Sequence, residues 1–259
     1  MDRDDFQTFY DEHYPLVSNL AFKMLGDRAD CEDVVQQVFL NISRAIDQFR
    51  GESSLKTWVY RITVNACQRW IERRANKRDQ AVEDFETLLE SAGAGPQFGP
   101  DDSALLAEAL SLVRDGCYTA LAASLPFEQR VVFVFVQMLD WSVEDVANLL
   151  EVSVAAVKSR LHRARDSMAA FFEPHCSHLT PSNPCKCLSR LPLCVQIDSE
   201  LLRRAALRLA QNKFTTRNDQ AGPRTLLEIV RQLPVHEGDP AAKSQFFRLL
   251  DSELANREP

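Results

Sequence analysis

Two groups of residues could do chemistry. The first is the run "HCSHLTPSNPCKCLSRLPLC", which carries His175, Cys176, His178, Cys185, Cys187 and Cys194. Thiolates and imidazoles crowded this closely suit zinc or another thiophilic ion. A Cys-x-Cys pair can chelate one ion, and Cys176 or His178 could close the loop around Asn183 and Pro184. The spacing predicts one zinc ion on Cys176, Cys185 and Cys187 with His178 as the fourth ligand. His175 and Cys194 stand in reserve. Two other readings stay open at this stage: a redox thiol pair, and cysteines with no shared task. Cys31, Cys67 and Cys117 sit singly in helical patterns and read as structural.

The second group is basic. "VAAVKSRLHRAR" puts Lys158, Arg160, Arg163 and Arg165 together in a chain whose formal net charge is −7. Val154, Val157, Leu161, Ala164 and Met168 recur by threes and fours and should pack inward. Lys158, Ser159, His162 and Arg163 lie off that stripe. Arg and Lys donate to guanine edges and phosphates, which is what a helix in the major groove requires. The segment before it, "SVEDVANLL", then "EVS", reads as helix and turn, so the whole is a helix-turn-helix. A solvated basic face is the plainer alternative, and the preceding helix and turn weigh against it.

A similar face recurs earlier. Arg61, Asn65, Arg69 and Arg73 are spaced by four, with Arg74, Lys77 and Arg78 extending the charge. Beside them, Ser53 and Ser54 form a small polar loop with Lys56 close by. Such a face can grip phosphate and contact bases. Phe49, Trp58 and Tyr60 could wall a pocket for an unstacked base. The stripe Trp58, Ile62, Ala66, Trp70 instead reads as core, and core is favoured for both tryptophans.

The elements that must position these residues are all helical. Apolar periodicity predicts helices over 14–25, over 31–48 with Asp30 as N-cap, and from Ser53 as N-cap to about Arg74. It returns from Ser103, then in a helix opening at Pro126, then in two helices capped by Ser142 and Ser153. Between the basic helices, Asp79, Glu83, Asp84, Glu86, Glu90, Asp101 and Asp102 stand without a Lys or Arg, and "SAGAGPQFGP" has linker composition. Three amphipathic segments follow the cysteines, near 198–212, 223–233 and 240–255. They could form a small bundle or dock on the preceding domains. Composition is that of a soluble globular chain, 45% hydrophobic and 26% charged. There is no apolar run of membrane-spanning length, and the acidic start is not a secretory signal, so a cytoplasmic location is expected. No Gly-rich phosphate loop and no nucleophile–base pattern appear, so no enzyme is expected.

The segments "DCEDVVQQVFLNISRAIDQFRGESSLKTWVYRITVNACQRWIERR" and "LPFEQRVVFVFVQMLDWSVEDVANLLEVSVAAVKSRLHRAR" resemble the two domains of bacterial RNA polymerase sigma factors of the extracytoplasmic-function type. The resemblance covers about residues 5–172 and implies binding to core RNA polymerase, promoter recognition and melting of the start region. It implies that Asp33, Gln36 and Gln37 face the polymerase, although Gln37 stands where relatives often carry an acid. It implies that Ser53, Ser54, Lys56, Asn65 and Arg69 read the minus-ten element, and that Lys158, Ser159, His162 and Arg163 read the minus-thirty-five element. Arg61 and Arg73 share the first of these faces. In the turn of the helix-turn-helix, Glu151 stands where such motifs often have Gly.

The expected organisation is a polymerase- and minus-ten-binding domain over 1–78, an acidic linker over 79–102, a helix-turn-helix domain over 103–173, and an extension over 174–259. The linker reads either as a mimic of a phosphate backbone inside the polymerase or as a solvated spacer. Promoter DNA and core polymerase are the expected partners, with an anti-sigma factor as a further one. The extension is expected to sense metal or redox state. A stand-alone helix-turn-helix regulator is the competing reading, and it leaves the 30–74 segment unexplained.

Overall fold

The computed structural model describes residues 3–75, 97–197, 200–210 and 242–255. The predicted segment near 223–233 and most of the acidic linker lie outside the described residues. Among the described residues the fold is all-α. Helix α1 (Arg3–Leu25) turns at Gly26 into α2 (Arg28–Ala45), and a short 3-10 turn (Ile46–Gln48) leads toward α3 (Leu55–Ala75). Then come α4 (Ser103–Ser124), α5 (Phe127–Phe133) running into one wide turn (Val134–Met138), α6 (Val143–Leu150) and α7 (Val154–His175). The extension adds α8 (Cys187–Ile197), α9 (Leu201–Ala210) and α10 (Ala242–Ala255).

Local chemistry explains most boundaries. Ser142 Oγ accepts from Asp145 N at 3.0 Å, and Ser153 Oγ accepts from Ala156 N at 3.2 Å, so both expected caps form. Two caps fall elsewhere than expected. Asp27, not Asp30, opens α2, its Oδ1 accepting from Asp30 N at 2.9 Å. Asp30 is buried one turn in and is ion-paired with Arg74 of α3. Ser54, not Ser53, caps α3, its Oγ accepting from Thr57 N at 3.0 Å. Gly26 has φ +73°, and a Cβ there would come within 3.1 Å of Ala123 Cβ, so the α1–α2 turn and its close approach to α4 both need glycine.

The buried face of α3 is rotated from the expected stripe. Val59, Tyr60, Thr63, Val64, Ala66 and Cys67 are buried, whereas Trp58, Ile62 and Trp70 are half-buried at the rim. The physical reason is that α3 is covered from two sides. One side rests on α1 and α2, and Tyr60 reaches across to Phe135 (ring centroids 5.3 Å) and Trp141 (4.9 Å) of the helix-turn-helix half.

A single hydrophobic core therefore runs through both halves, from Phe9, Leu20 and Val38 to Phe133, Val146 and Met168. Polar contacts pin the same junction. Arg130 donates from Nη1 to the Met24 carbonyl at 2.8 Å and from Nη2 to the Leu125 carbonyl at 2.9 Å. Lys23 Nζ lies 3.8 Å from Asp115 in a buried pair, and burial lowers the lysine's pKa while Asp115 opposes that shift.

The extension docks on both halves. Helices α8 and α9 pack against α4 in a second core containing Ala109, Val113, Leu191, Leu201 and Ala205. Helix α10 seats Phe246 and Phe247 against Tyr10 at centroid distances of 4.9 and 5.3 Å, with Lys243 paired to Asp11. Helix α8 lies partly within the cysteine run, where the sequence pattern predicts no helix, and Pro192 sits inside it.

Candidate nucleic-acid interface

The helix-turn-helix forms as the sequence predicts. Helix α6 ends at Glu151, whose φ 56°, ψ 41° is the left-handed conformation that a glycine would supply more cheaply, and α7 starts after Ser153. Val157, Leu161, Ala164, Met168 and Phe172 are buried beneath α7. Lys158, Ser159, His162 and Arg163 all stand exposed on its outer face. His162 Nδ1 lies 3.4 Å from the Asp166 carboxylate, which steadies the ring on that face. A buried apolar seam with an exposed row of donors is the geometry by which a recognition helix is held against a groove.

The earlier basic face is divided by the structure. Asn65, Arg69 and Arg73 are exposed on α3. Arg73 Nε donates to the Arg69 carbonyl at 3.2 Å, so its side chain turns back along the helix. Ser54 and Lys56 are exposed and Ser53 half-buried, and Lys56 Nζ sits 5.9 Å above the Tyr60 ring. Gly51, with φ +72°, makes the turn that presents this loop. Arg61 differs from its neighbours. It pairs with Glu151 at 3.0 Å and donates to the Asn148 carbonyl at 3.4 Å, so it faces the helix-turn-helix. Arg61, Asn65 and Gln68 of α3 line a cleft of about 360 Å³ with Glu128, Glu151 and Arg160 from the other half. Spacing along one helix could not reveal that contact.

Trp58 pairs with Phe49 at 5.4 Å on the rim of the core, beside the serine loop. On α2, Asp33 and Gln37 are exposed and Gln36 half-buried, over a buried row of Val34, Val35, Val38 and Ile42. Gln37 Nε2 donates to Asn41 Oδ1 at 3.0 Å.

The cysteines separate into two kinds. Burial pushes the Cys31 thiol up to about 12 and the Cys67 thiol higher still, which keeps both protonated and inert. The others gather over α4. Cys117 is exposed as a residue, yet desolvation of its sulfur, then charge on Cys185, Cys187, Cys176 and Cys194, raises its thiol, which places it near the tail thiols despite its distance in sequence. The expected zinc set does not converge, however. Among the described residues no group of three or more His, Cys, Asp or Glu side chains is placed to hold a metal ion. Cys176 closes α7 with its Sγ 3.8 Å from the Tyr118 hydroxyl, while Cys187 already belongs to the first turn of α8. His178 lies in the turn between these helices, and His175 Nδ1 donates to the Phe171 carbonyl at 2.6 Å.

Comparison with known proteins gives the family. The model of sigma-70 region 2 matches residues 9–77, and that of sigma-70 region 4 matches residues 115–168. The ECF RNA polymerase sigma-E factor of Haemophilus influenzae is 30% identical over 168 residues, which cover 61% of this chain and 86% of that protein. Its counterpart in Escherichia coli is 31% identical over 148 residues, covering 56% of this chain and 75% of that protein. The solved structure of the sigma factor RpoE with the anti-sigma factor NepR from Bartonella quintana is similar at a TM-score of 0.46 and 21% identity, over 65% of this chain and 97% of that one. The chain belongs to the extracytoplasmic-function family of RNA polymerase sigma factors. Both family matches end before the cysteine run, so the extension lies beyond them. No helix among the described residues is long and apolar enough to cross a membrane.

Proposed function

We propose that this chain binds core RNA polymerase through the α2 face around Asp33, Gln36 and Gln37 and directs it to promoters, acting in the cytoplasm without catalysis of its own. Helix α7 reads the minus-thirty-five element through Lys158, Ser159, His162 and Arg163. The loop and outer face of α3 engage the minus-ten element through Ser53, Ser54, Lys56, Asn65 and Arg69. The observation that carries this reading is the exposed donor row on α7 above a fully buried seam, in a chain of this family. Half-buried Trp58 beside the serine loop suits a wall for an unstacked base.

This assignment demands an opening step. Helices α3 and α7 are 21 and 22 residues long, about 32 Å each. They belong to halves that touch, whereas elements about 25 base pairs apart are separated by about 85 Å of duplex at 3.4 Å per pair. The Arg61–Glu151 pair and the Tyr60–Phe135–Trp141 cluster must part before both elements are read together. Parting frees Arg61 to join the minus-ten face, on which Arg73 already stands exposed. The linker 79–102, rich in acids, supplies the tether.

Affinity co-purification tests the polymerase contact. The full chain is expected to retain core polymerase, and charge reversal at Asp33 (Asp33→Arg) with Gln36→Ala to release most of it. Equal retention by wild type and variant would move the contact away from α2, and no retention by wild type would favour a DNA-binding regulator that works without polymerase.

A further inference from the structure

We infer that Cys176 and Cys185 form a reversible intrachain disulfide site, written by peroxide, at the end of the recognition helix. The two residues face each other across a parallel backbone pairing. Cys185 N donates to the His175 carbonyl at 3.0 Å and Ser177 N donates to the Cys185 carbonyl at 3.2 Å, so the bonds bracket Cys176 and set it opposite Cys185. Paired backbones lie about 4.8 Å apart with facing side chains on the same side. Disulfides need a Cα separation of about 4.4–6.8 Å. A paired-backbone spacing therefore falls within the range that a disulfide needs.

The connecting loop is held in that register. Asn183 Nδ2 donates to the Glu173 carbonyl at 2.6 Å and to the Cys176 carbonyl at 3.1 Å. Asn183 N donates to the Thr180 carbonyl at 2.9 Å. The two sulfurs sit in different surroundings. Cys176 is buried against Tyr118, whereas Cys185 is half-buried and its Sγ accepts from Arg190 Nε at 3.5 Å. The accessible sulfur, with a guanidinium beside it, is the attacking one, and the buried sulfur resolves it.

The chemistry balances with hydrogen peroxide as the oxidant. The Cys185 thiolate attacks one peroxide oxygen, the O–O bond breaks, and hydroxide leaves to take up a proton as water. The resulting sulfenic acid is attacked by Cys176. The S–S bond forms, the S–O bond breaks, and a second water departs with the Cys176 proton. Two thiols are oxidised by two electrons and one peroxide is reduced to two waters. The bond would clamp the turn that joins α7 to α8, and with it the seat of the extension on α4.

The test uses the full chain, purified under reducing conditions, then exposed to one equivalent of hydrogen peroxide and digested without reductant. A linked pair of peptides carrying Cys176 and Cys185 is expected in most molecules, and dithiothreitol should reverse it. Cys185→Ser should abolish the link and leave the remaining tail thiols reduced. Because Cys176 is buried, Cys176→Ala is read beside a melting curve, while the wild-type linkage map stands without any variant. Linkage of Cys185 to Cys187, Cys117 or Cys194 instead, thiols that do not react, or about one zinc ion per chain in the untreated protein would each overturn the proposal. None of these readouts depends on transcription, so the sigma-factor reading stands or falls separately.

Discussion

Replacing Phe135 by alanine is expected to cost about 3–5 kcal/mol of folding stability, the range for truncating a fully buried phenylalanine. Phe135 has no solvent exposure and packs edge-on to Tyr60 at 5.3 Å and to Trp141 at 4.9 Å. Tyr60 belongs to α3, so the lost ring also removes one apolar contact between the two halves of the chain, leaving Tyr60 against Trp141. Phe135 lies in the main core with Val131, Val132, Phe133 and Val134, all buried, so the lost volume falls in a close-packed region. Such a loss is a large share of the stability of a typical domain, which is about 5–15 kcal/mol. Urea unfolding of the full chain measures it. A midpoint shift corresponding to less than about 1 kcal/mol would show that the site repacks far more readily than large-to-small core changes usually allow.

The second large effect falls on binding. Arg163→Ala is expected to weaken promoter recognition by the polymerase complex by about 1–3 kcal/mol, or about 5–150-fold, the range for one good base contact. The melting temperature should stay within a degree or so of wild type, since surface changes of this kind are usually within about 0.5 kcal/mol. Arg163 is exposed, and its neighbours Leu161 and Ala164 carry the packing of α7 instead. Titration of promoter fragments at fixed salt reads the effect. The loss should be larger on the cognate minus-thirty-five sequence than on a scrambled one. Equal losses on both would make Arg163 a phosphate contact, and no loss would remove it from the groove.

The helix-turn-helix was legible because its signals are local. Ser142 and Ser153 cap their helices, and the three- and four-residue apolar spacing separates the seam of α7 from its donor row. Glu151 could be read as the turn residue although it lacks glycine's freedom, and it adopts the left-handed conformation the turn needs. What the sequence hid is non-local. Val59, Thr63 and Cys67 form the deep face of α3, and nothing in its spacing ranks them above Trp58, Ile62 and Trp70, because apolar residues occupy both sides. The second side is covered by the helix-turn-helix half, more than 70 residues away in sequence. The same contact turns Arg61 from a member of a basic row into the partner of Glu151.

The cysteine run shows the complementary case. Residue types and spacing suggest a four-ligand site, but backbone pairing sets Cys176 opposite Cys185, α8 takes Cys187 into its first turn, and no metal-holding group of three forms among the described residues. Cys117, read as an isolated structural cysteine, is exposed on α4, the platform on which the extension and its thiols rest. The closing helix α10 was legible as amphipathic, yet its seat on Tyr10 and Phe39 follows from shape and not from pattern.

Run-off transcription with purified core polymerase tests the central claim most directly. The template is a pool of genomic fragments from the source organism, and the 5′ ends of the transcripts are sequenced. Full-length chain added to core polymerase is expected to yield discrete transcripts whose upstream sequences share two motifs about 25 base pairs apart, or about 85 Å of duplex. Arg163→Ala should reduce those transcripts while core polymerase still co-purifies. Transcripts no more discrete than those of core polymerase alone, from a chain that binds the same DNA without polymerase, would contradict the account.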